Sequence, residues 1–311
     1  MTTWYNQGMK NIYDLIIVGG GPAGLSAAIY ARRANLSVLL IEENSDGGKL
    51  SKIHQIDNYP GFETISGFDL ANQFINQAKK YETEMLNGKV VKVETNTVHL
   101  ANGETYNAKA ILIATGSKQR KLDIPMSLEY EGKGISYCAT CDGFFFKNKE
   151  VAVIGDNSQA LEESLYLVNL VSKLTIINRH NSLTGEATLS EVVQSNNKIE
   201  IINSSIPTSL IIEDERIIGL SIMNLDTKEN RNINCVGIFP YIDFNPGTDF
   251  LDSKILDDNG FIITNPDMST AIEGIFAAGD CIQKQLRQVV TACSDGAIAA
   301  TSIIKYIKNK A

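Results

Sequence analysis

Two cysteines separated by two residues, Cys138 and Cys141, are the side chains of this sequence best suited to redox chemistry. That spacing allows a small disulfide ring, and a paired neighbour lowers a thiol pKa enough for exchange at neutral pH. The same spacing is also typical of two of the four ligands of a zinc site. The sequence has no second such pair, however, and His54, His99 and His180 are distant from this one in sequence. We therefore predict a redox-active cysteine pair and no metal site.

The other three cysteines, Cys235, Cys281 and Cys293, are widely spaced and fit small packing residues. An odd total of five cysteines, with no secretory signal visible, argues against a framework of structural disulfides. We therefore expect a cytoplasmic protein.

Length and charge narrow the class of protein further. A chain of 311 residues suggests about two domains. The formal net charge of −8 argues against a nucleic-acid binder that neutralises phosphates. The most apolar stretch, Leu15 to Ala31, is interrupted by glycines and a proline, so it is typical of a strand, turn and helix and not of a membrane span.

A nucleotide-binding motif lies at the start of the chain. An apolar run at Tyr13–Gly19 predicts a strand, Pro22–Arg33 predicts a helix, and Ser37–Glu42 predicts a second, parallel strand. The turn between the first strand and the helix fits G-x-G-x-x-G, with the residues Gly19, Gly20, Gly21, Pro22, Ala23 and Gly24. Its glycines allow the tight turn, the approach of a pyrophosphate, and close packing of the helix on the sheet.

Two further features support a dinucleotide at this turn. The helix N-terminus offers N–H groups and a partial positive charge to the phosphates. Glu42 ends the second strand, about 20 residues after the first glycine, where a carboxylate accepts hydrogen bonds from the ribose hydroxyls. A glycine-rich turn without a ligand would not need this acid.

The same arrangement begins again at Val151–Gly155, with a helix predicted at about Ser158–Leu170 and a strand at Lys173–Asn178. The tail from Ile275 predicts a strand, a turn at Gly279–Asp280 and a helix from about Gln288 to Tyr306. We therefore predict an α/β fold of two Rossmann-like nucleotide-binding domains, the second inserted into the first. The predicted boundaries are 1–117 and 245–311 for the first nucleotide-binding domain, which is split in sequence, and 118–244 for the inserted domain, which carries Cys138 and Cys141.

Several motifs in one order resemble those of the low-molecular-weight thioredoxin reductases. Besides the first glycine motif, they are Asn58-Tyr59-Pro60-Gly61, Ala114-Thr115-Gly116, Cys138-Ala139-Thr140-Cys141-Asp142 and Gly279-Asp280. The resemblance extends over nearly the whole chain. It implies FAD at the first glycine motif and a homodimer.

The resemblance also implies roles for individual residues. Thr115 and Gly116 belong to the FAD site, Asn58 lies near the flavin and Asp280 holds its ribityl chain. Arg287, Gln288 and Val289 lie beside the isoalloxazine, where a helix N-terminus would favour the anionic reduced flavin.

Similar roles follow for the residues around the cysteine pair. Cys141 faces the flavin, Cys138 attacks thioredoxin, and Asp142 relays protons to and from the leaving thiolate. For Asp142, capping of a helix is the alternative from local chemistry alone.

The second glycine motif departs from the family's G-x-G-x-x-A pattern. Gly155 and Ala160 match, but Asn157 stands where a glycine would admit the pyrophosphate. Asp156 adds a carboxylate there, and we expect it to compete with phosphate for the helix N-terminal donors.

A second departure follows the next strand, where NADPH-dependent relatives carry His-Arg-Arg and a later Arg. This chain has Asn178, Arg179 and His180, and Thr184 at the later position, so one arginine remains for a 2′-phosphate. We therefore predict a degraded NADPH site.

A degraded NADPH site predicts a chain closest to the ferredoxin-dependent flavin thioredoxin reductases. The basic residues Lys118, Arg120, Lys121, Lys147 and Lys149 are candidates for docking an acidic ferredoxin. An NADPH-dependent reductase with an atypical pocket and a flavin redox sensor without turnover are the alternatives.

Overall fold

The computed structural model describes residues 12–43, 48–53, 56–242 and 244–310. The chain divides into two compact units. Unit 1 consists of Met1–Lys118 with Asn245–Ala311, and unit 2 of Gln119–Phe244. The first break falls one residue after the predicted boundary, and the second falls at the predicted residue.

Helices and strands alternate along much of the chain. The helices are α1 (Pro22–Arg33), α2 (Gly67–Lys80), α3 (Ala139–Asp142), α4 (Ser158–Leu167), α5 (Ala187–Ser195) and α6 (Val289–Lys310). The strands are β1 (Tyr13–Val18), β2 (Val38–Glu42), β3 (Glu84–Asn87), β4 (Val90–Glu94), β5 (Thr97–Leu100), β6 (Thr105–Ile113), β7 (Ser117–Gln119), β8 (Glu150–Ile154), β9 (Lys173–Ile177), β10 (Ile199–Ile202), β11 (Ser205–Glu213), β12 (Arg216–Asn224), β13 (Asn230–Asn234), β14 (Gly237–Pro240), β15 (Phe244–Pro246) and β16 (Ile275–Ala277). Strands β7 and β15 form a two-stranded ribbon. None of the described helices is long and apolar enough to cross a membrane.

Unit 1 is built on a sheet in which β3, β2, β1, β6 and β16 are parallel neighbours. The first residues of β6 pair instead with β5, which extends the sheet through an antiparallel connection to β4. Strands β1 and β2 and the second half of β6 are nearly continuous apolar runs because helices and loops cover both faces of a parallel sheet. The predicted α/β class with Rossmann-like sheets is confirmed.

Helices α1 and α6 pack closely in unit 1. A Cβ at Gly296 of α6 would lie 2.1 Å from the carbonyl oxygen of Ala23 in α1. Helix α6 continues past the predicted end at Tyr306 because Ile303 and Ile307 stay buried while Lys305 between them is exposed.

The topology brings the predicted cofactor residues of unit 1 to one edge. Strands β1, β2, β6 and β16 run parallel, so their carboxyl ends meet at the same edge of the sheet. Gly19, Glu42, Thr115 and Asp280 follow or end these strands and therefore lie at that edge. In open α/β sheets ligands bind at this edge.

Unit 2 is also built on a parallel sheet, which is smaller and has the strand order β10-β9-β8-β14. A three-stranded antiparallel sheet, β11-β12-β13, is added to it. The short helix α3, which carries the cysteine pair, contacts α4. Gly155, Asn178 and Tyr241 each follow a parallel strand at the carboxyl edge.

Candidate active site and cofactor site

The first glycine turn requires glycine at two positions for folding alone. Gly19 has a φ of +110°, and a Cβ there would lie 2.3 Å from the carbonyl oxygen of Ala114. A Cβ at Gly24 would lie 2.0 Å from the carbonyl oxygen of Gly19. Any other residue at either position would displace α1 from β1.

Gly21 is different, because its surroundings are open. A Cβ there would meet none of the described atoms within 4 Å. Gly21 is the N-cap of α1, no side chain of the described residues caps this helix, and Pro22 begins it. The helix N-terminus therefore faces a space in which an anionic group can take up its N–H donors.

Glu42 lies beside this turn, and its Oε2 accepts a hydrogen bond of 2.6 Å from the Gly20 amide. Thr115 lies on the other side, since a Cβ at Gly19 would come within 2.9 Å of the Thr115 nitrogen. Gly116 follows with a φ of +67°, so the chain turns sharply after β6.

Asp280 has a buried oxygen, Oδ1, that has no hydrogen-bond partner among the described residues. Burial raises the pKa of this carboxyl, and the charges of Lys49, Lys284 and Arg287 oppose that rise. A buried acceptor without a donor is costly, so it indicates a ligand that supplies one. A hydroxyl of the FAD ribityl chain fits this requirement, and the open turn at Gly21 fits the pyrophosphate.

Asn58 and Gln288 are brought together, with 3.2 Å between Asn58 Nδ2 and Gln288 Oε1. The Arg287 guanidinium donates to the carbonyl oxygens of Asp280 and Ile282 at 3.4 and 3.3 Å. It also stacks on the Phe261 ring, 4.1 Å from the centroid. These contacts of Arg287 therefore hold the segment that contains Asp280 in place.

Helix α6 begins at Val289, one residue later than predicted. Its N-terminal end thus lies directly after Gln288.

Three charged residues near Asp280 were not among the predicted site residues. Burial lowers the pKa of Lys49, and the charge of Asp280 opposes that effect. Lys284 forms a 2.5 Å ion pair with Asp295, and both side chains are largely buried. The proximity of Lys284 to Asp280 in sequence was the one available signal, while nothing in the local pattern marked Lys49 or Asp295.

Cys138 and Cys141 form a disulfide. Cys138 is the N-cap of α3, and its Sγ accepts a hydrogen bond of 3.2 Å from the Cys141 amide. Cys141 is exposed and Cys138 is half-buried. Because an N–H donor stabilises a negative sulfur, the reduced pair would favour a thiolate at Cys138.

Asp142 is the last residue of α3 and stands at the N-cap position of the following 3-10 helix, Gly143–Phe146, but its side chain makes no capping hydrogen bond there. Its Oδ2 accepts a 2.6 Å hydrogen bond from the Ser136 hydroxyl. Ser136 Oγ in turn accepts a hydrogen bond from the Cys138 amide. The carboxylate is thereby linked to the backbone of Cys138, a connection through Ser136 that the sequence analysis did not find.

The described residues contain no group of three or more side chains suited to a metal ion. His99 pairs with Glu94 and His180 pairs with Asp156, and His54 lies outside the described residues. Burial raises the pKa of the Cys235 thiol to about 12 and that of Cys281 to about 11, as for packing residues. Cys293 is half-buried, 3.9 Å from the Tyr59 hydroxyl.

Residues 13–296 match the pyridine nucleotide-disulphide oxidoreductase family. The chain is 39% identical to the thioredoxin reductase of Bacillus subtilis over 303 residues, which are 96% of each chain. This chain belongs to the thioredoxin reductase family.

Two solved structures extend the comparison. The crystal structure of Lactococcus lactis thioredoxin reductase matches with a TM-score of 0.89 and 36% identity, covering 96% of this chain and 99% of that one. A ferredoxin-flavin thioredoxin reductase from Clostridium acetobutylicum matches with a TM-score of 0.53 and 32% identity, covering 97% and 99%.

In the second glycine turn of this thioredoxin reductase family member, a side chain of the turn itself caps the following helix, α4. Asn157 is the N-cap of α4, and its Oδ1 accepts a 3.0 Å hydrogen bond from the Ala160 amide. Its Nδ2 donates to the carbonyl oxygens of Tyr241 and Ile242 at 3.0 and 3.1 Å. The Asn157 carboxamide therefore occupies a donor that a phosphate would otherwise use.

A loop of the same unit lies against this turn. The Asp156 carbonyl oxygen accepts hydrogen bonds from the amides of Thr184 and Gly185 at 3.0 and 2.8 Å. A Cβ at Gly185 would lie 2.9 Å from the Ser158 nitrogen, and the Glu186 amide donates to Ser158 Oγ. Residues 184–186 therefore cover the start of α4.

Asp156 acts differently from the expectation that it competes for the helix donors. Its Oδ2 lies 2.5 Å from His180 Nδ1, and Asn157 takes the helix donor instead. Asn178 is fully buried, where it donates to Asn203 and accepts from the His180 amide. The side chains at positions 178, 180 and 184 are thus bonded within this loop and turn.

Three of the five basic residues predicted as candidates for docking a ferredoxin make contacts with neighbouring groups of the chain. Lys121 pairs with Glu131, Lys147 lies over the Phe144 ring, and Lys149 Nζ donates to the Phe145 carbonyl oxygen.

Proposed function

We propose that this chain is an FAD-dependent thioredoxin-disulfide reductase that works through the Cys138–Cys141 pair. The observation that carries the proposal is the disulfide on α3, with an exposed Cys141 and the Asp142 carboxylate tied to Cys138 through Ser136. FAD, when bound, supplies a carrier that takes up electrons singly or in pairs and delivers two to a disulfide.

The proposed FAD site uses unit 1. The N-terminus of α1 at Gly21, with Pro22 and Ala23, receives the pyrophosphate, and Glu42 accepts from the ribose hydroxyls. Asp280 accepts from the ribityl chain. The remaining contacts come from Asn58, Thr115, Gly116, Arg287, Gln288 and Val289.

In the proposed dithiol chemistry, the Cys138 thiolate attacks the thioredoxin disulfide and forms a mixed disulfide. One thioredoxin sulfur leaves as a thiolate and takes a proton, which Asp142 relays. The Cys141 thiolate then attacks Cys138 Sγ, restoring the Cys138–Cys141 disulfide and releasing reduced thioredoxin.

Reduced ferredoxin, and not NADPH, is the proposed electron donor. Three features of unit 2 support this: the Asn157 cap, the loop 184–186 against the turn, and the pairing of His180 with Asp156. Each removes a contact that a bound dinucleotide phosphate needs. One relative of known structure is named a ferredoxin-flavin thioredoxin reductase, while relatives matched at higher identity are named only thioredoxin reductases, so the proposal of this donor rests on the residues of unit 2.

Anaerobic reduction of the bound flavin tests the donor. Reduced ferredoxin should bleach the flavin absorbance of the purified protein, while micromolar NADPH or NADH should leave it almost unchanged. Rapid bleaching by NADPH would instead support an NADPH-dependent reductase with an atypical pocket. No thioredoxin reduction with any donor would support a redox sensor without turnover.

Variants of the two cysteines test the relay. Cys138→Ser and Cys141→Ser should each abolish thioredoxin reduction and keep FAD bound. Cys141→Ser, and not Cys138→Ser, should trap thioredoxin as a mixed disulfide. Turnover at the wild-type rate in either variant would show that the pair is not the relay.

The homodimer implied by the resemblance stays a prediction, which sedimentation analysis of the purified protein would test.

A further inference from the structure

A hydroxyl group between the two cysteines contacts one of their sulfurs. Thr140 Oγ1 lies 3.4 Å from Cys138 Sγ, and this sulfur is its only hydrogen-bond partner among the described residues. Because Cys138 Sγ is bonded to Cys141 Sγ, it carries no proton, so the Thr140 O–H is the donor. Thr140 is half-buried, which partly shields this hydrogen bond from water.

The two sulfurs of the pair differ in the hydrogen bonds that they accept. Cys138 Sγ accepts one from the Cys141 amide at 3.2 Å and one from the Thr140 hydroxyl. Within the described part of the chain, Cys141 Sγ accepts none, and this residue is exposed. Hydrogen bonds to a charged acceptor are stronger than those to a neutral one, so the two donors favour a negative charge on Cys138 over one on Cys141.

The backbone around Thr140 is held in place before the disulfide is reduced. Three hydrogen bonds fix it, from the Cys138 amide to Ser136 Oγ, from the Ala139 amide to the Tyr241 hydroxyl oxygen, and from the Asp142 amide to the Cys138 carbonyl oxygen. A threonine side chain has few rotamers in a helix because it is branched at Cβ. The backbone of α3 and the stiffness of this side chain together keep the Thr140 hydroxyl at the sulfur.

From this contact, and resting on the proposed function of the cysteine pair, we propose that Thr140 is a further catalytic residue. Its hydroxyl donates a hydrogen bond to the Cys138 thiolate and stabilises it as the sulfur that attacks thioredoxin. In that step a bond forms between Cys138 Sγ and one thioredoxin sulfur, and the thioredoxin disulfide breaks. The other thioredoxin sulfur leaves with the bonding electron pair as a thiolate and takes up a proton.

Three titratable groups other than the cysteines lie on α3 and on the segments packed against it. Asp142 is the last residue of α3, Tyr241 accepts a hydrogen bond from its first residue, and Glu163 lies on α4. The charges of Glu163 and Asp142 raise the pKa of the Tyr241 phenol. In the described residues Thr140 forms a hydrogen bond with none of the three, so a substitution that removes its hydroxyl leaves them unchanged. A resulting change in the ionisation of Cys138 therefore reports the hydroxyl.

The rate at which iodoacetamide alkylates Cys138 measures this ionisation. The full-length Cys141→Ala protein is used, because alanine adds no hydroxyl beside the sulfur, and the Cys138 peptide is followed by mass spectrometry from pH 5 to 10. Adding Thr140→Val should shift the profile to higher pH by about half to one unit, so that the rate at pH 6 falls about three- to tenfold. The rate at pH 10, where the thiol is ionised in both proteins, should change less than about twofold.

Three further variants separate the hydroxyl from the shape of the side chain. Thr140→Ser keeps a hydroxyl and should restore most of the Cys141→Ala profile. Thr188→Val is the matched control, since this exposed threonine lies on α5 of the same unit and its hydroxyl donates to Glu186. If Thr140→Val does not fold, Thr140→Ala removes the same hydroxyl with a residue that favours helices, and it should show the same shift.

Two different results would contradict the proposal and the function on which it rests. Profiles of Thr140→Val and Thr140→Ala that superimpose on the Cys141→Ala profile would overturn the role of the hydroxyl. If Cys138 of the Cys141→Ala protein forms no mixed disulfide with oxidised thioredoxin, the proposed dithiol relay is wrong, whatever the alkylation profiles show.

Discussion

The strand–turn–helix segments that begin at Gly19 and Gly155 follow the same backbone path but differ at the N-terminus of the helix. Both first glycines have a positive φ, and a Cβ at either would lie within 2.3 Å of a backbone carbonyl oxygen. At the next glycine position of the motif, Gly21 leaves α1 without a side-chain cap, whereas Asn157 caps α4 with its own carboxamide.

The two turns show two different physical reasons for a glycine: one position requires it for folding, and the other for the approach of a ligand. The first glycine is retained in both turns because the sheet behind it leaves no room for a side chain. No contact among the described residues explains the glycine at position 21, so a ligand is the remaining physical reason. Where the ligand is not used, an N-cap residue gives a more stable helix.

The largest expected effect comes from Gly21→Asp, which places a carboxylate where the pyrophosphate would lie. FAD affinity should fall more than about 100-fold, giving largely apo protein, because two anionic groups would compete for the same helix donors. The ratio of flavin to protein absorbance after purification measures this. Gly21→Ala, which adds a methyl group without a charge, is the graded comparison and should lose less flavin than Gly21→Asp. A folded Gly21→Asp protein with normal flavin content would contradict the site.

Burial raises the pKa of one carboxyl in each unit, Asp280 in unit 1 and Glu163 on α4 in unit 2. Cationic side chains oppose the rise at Asp280, whereas the charge of Glu162 adds to the rise at Glu163, whose pKa is raised to about 7. Between the usual pKa of a glutamate and 7, the folded state binds more protons than the unfolded state, so stability falls as pH rises.

The loss of stability from Glu163 is at most about 3 kcal/mol, and it should be complete above pH 7. Urea denaturation of wild type and Glu163→Gln between pH 5 and 8 measures it. The difference between the two proteins should shift in favour of the variant as pH rises. Parallel curves would mean that Glu163 titrates normally.

Asp280→Ala should weaken FAD binding about 10- to 100-fold, the value of a hydrogen bond to a charged group. The variant removes the buried acceptor that has no partner among the described residues. Asp280→Asn, which keeps an acceptor oxygen, should lose less. Fluorescence titration of the apo proteins with FAD gives both dissociation constants, and equal affinity of Asp280→Ala and wild type would remove Asp280 from the site.

Alanine at the two equivalent positions should have unequal effects on stability. Asn157→Ala removes a helix cap and two hydrogen bonds to the carbonyl oxygens of Tyr241 and Ile242, which follow β14, and this should cost about 1–3 kcal/mol. Gly21→Ala meets no described atom and should change stability by less than about 0.5 kcal/mol. Urea denaturation of the two apo variants compares them; equal losses would mean that the cap contributes little.

The smallest effect is expected from reopening the second turn. Asp156→Gly combined with Asn157→Gly should increase NADPH affinity about tenfold at most, because loop 184–186 still covers the start of α4. Selectivity for the 2′-phosphate should need Asn178→His, His180→Arg and Thr184→Arg in addition. NADPH binding is measured by titration of its fluorescence, and tight binding to the wild type would contradict the comparison.

The fold class and the positions of the glycine turns and the cysteine pair were predictable from local sequence patterns. Apolar runs, glycine turns and helical periodicity are local signals, so the βαβ units at Tyr13 and Val151 and the helices after them were predictable to within a few residues. The C-x-x-C spacing indicated the disulfide in the same way.

Which polar groups hydrogen-bond to one another, in contrast, depends on the tertiary structure. Local patterns place Asp156 near the helix N-terminus, but only folding of the loop after β9 brings His180 to it and leaves the helix donor to Asn157. The links from Ser136 to Asp142 and from Tyr241 to Ala139, the second across 102 residues, have no sequence signal. Hydrogen bonds between distant segments depend on how strands are ordered and packed, and a single sequence does not show that arrangement.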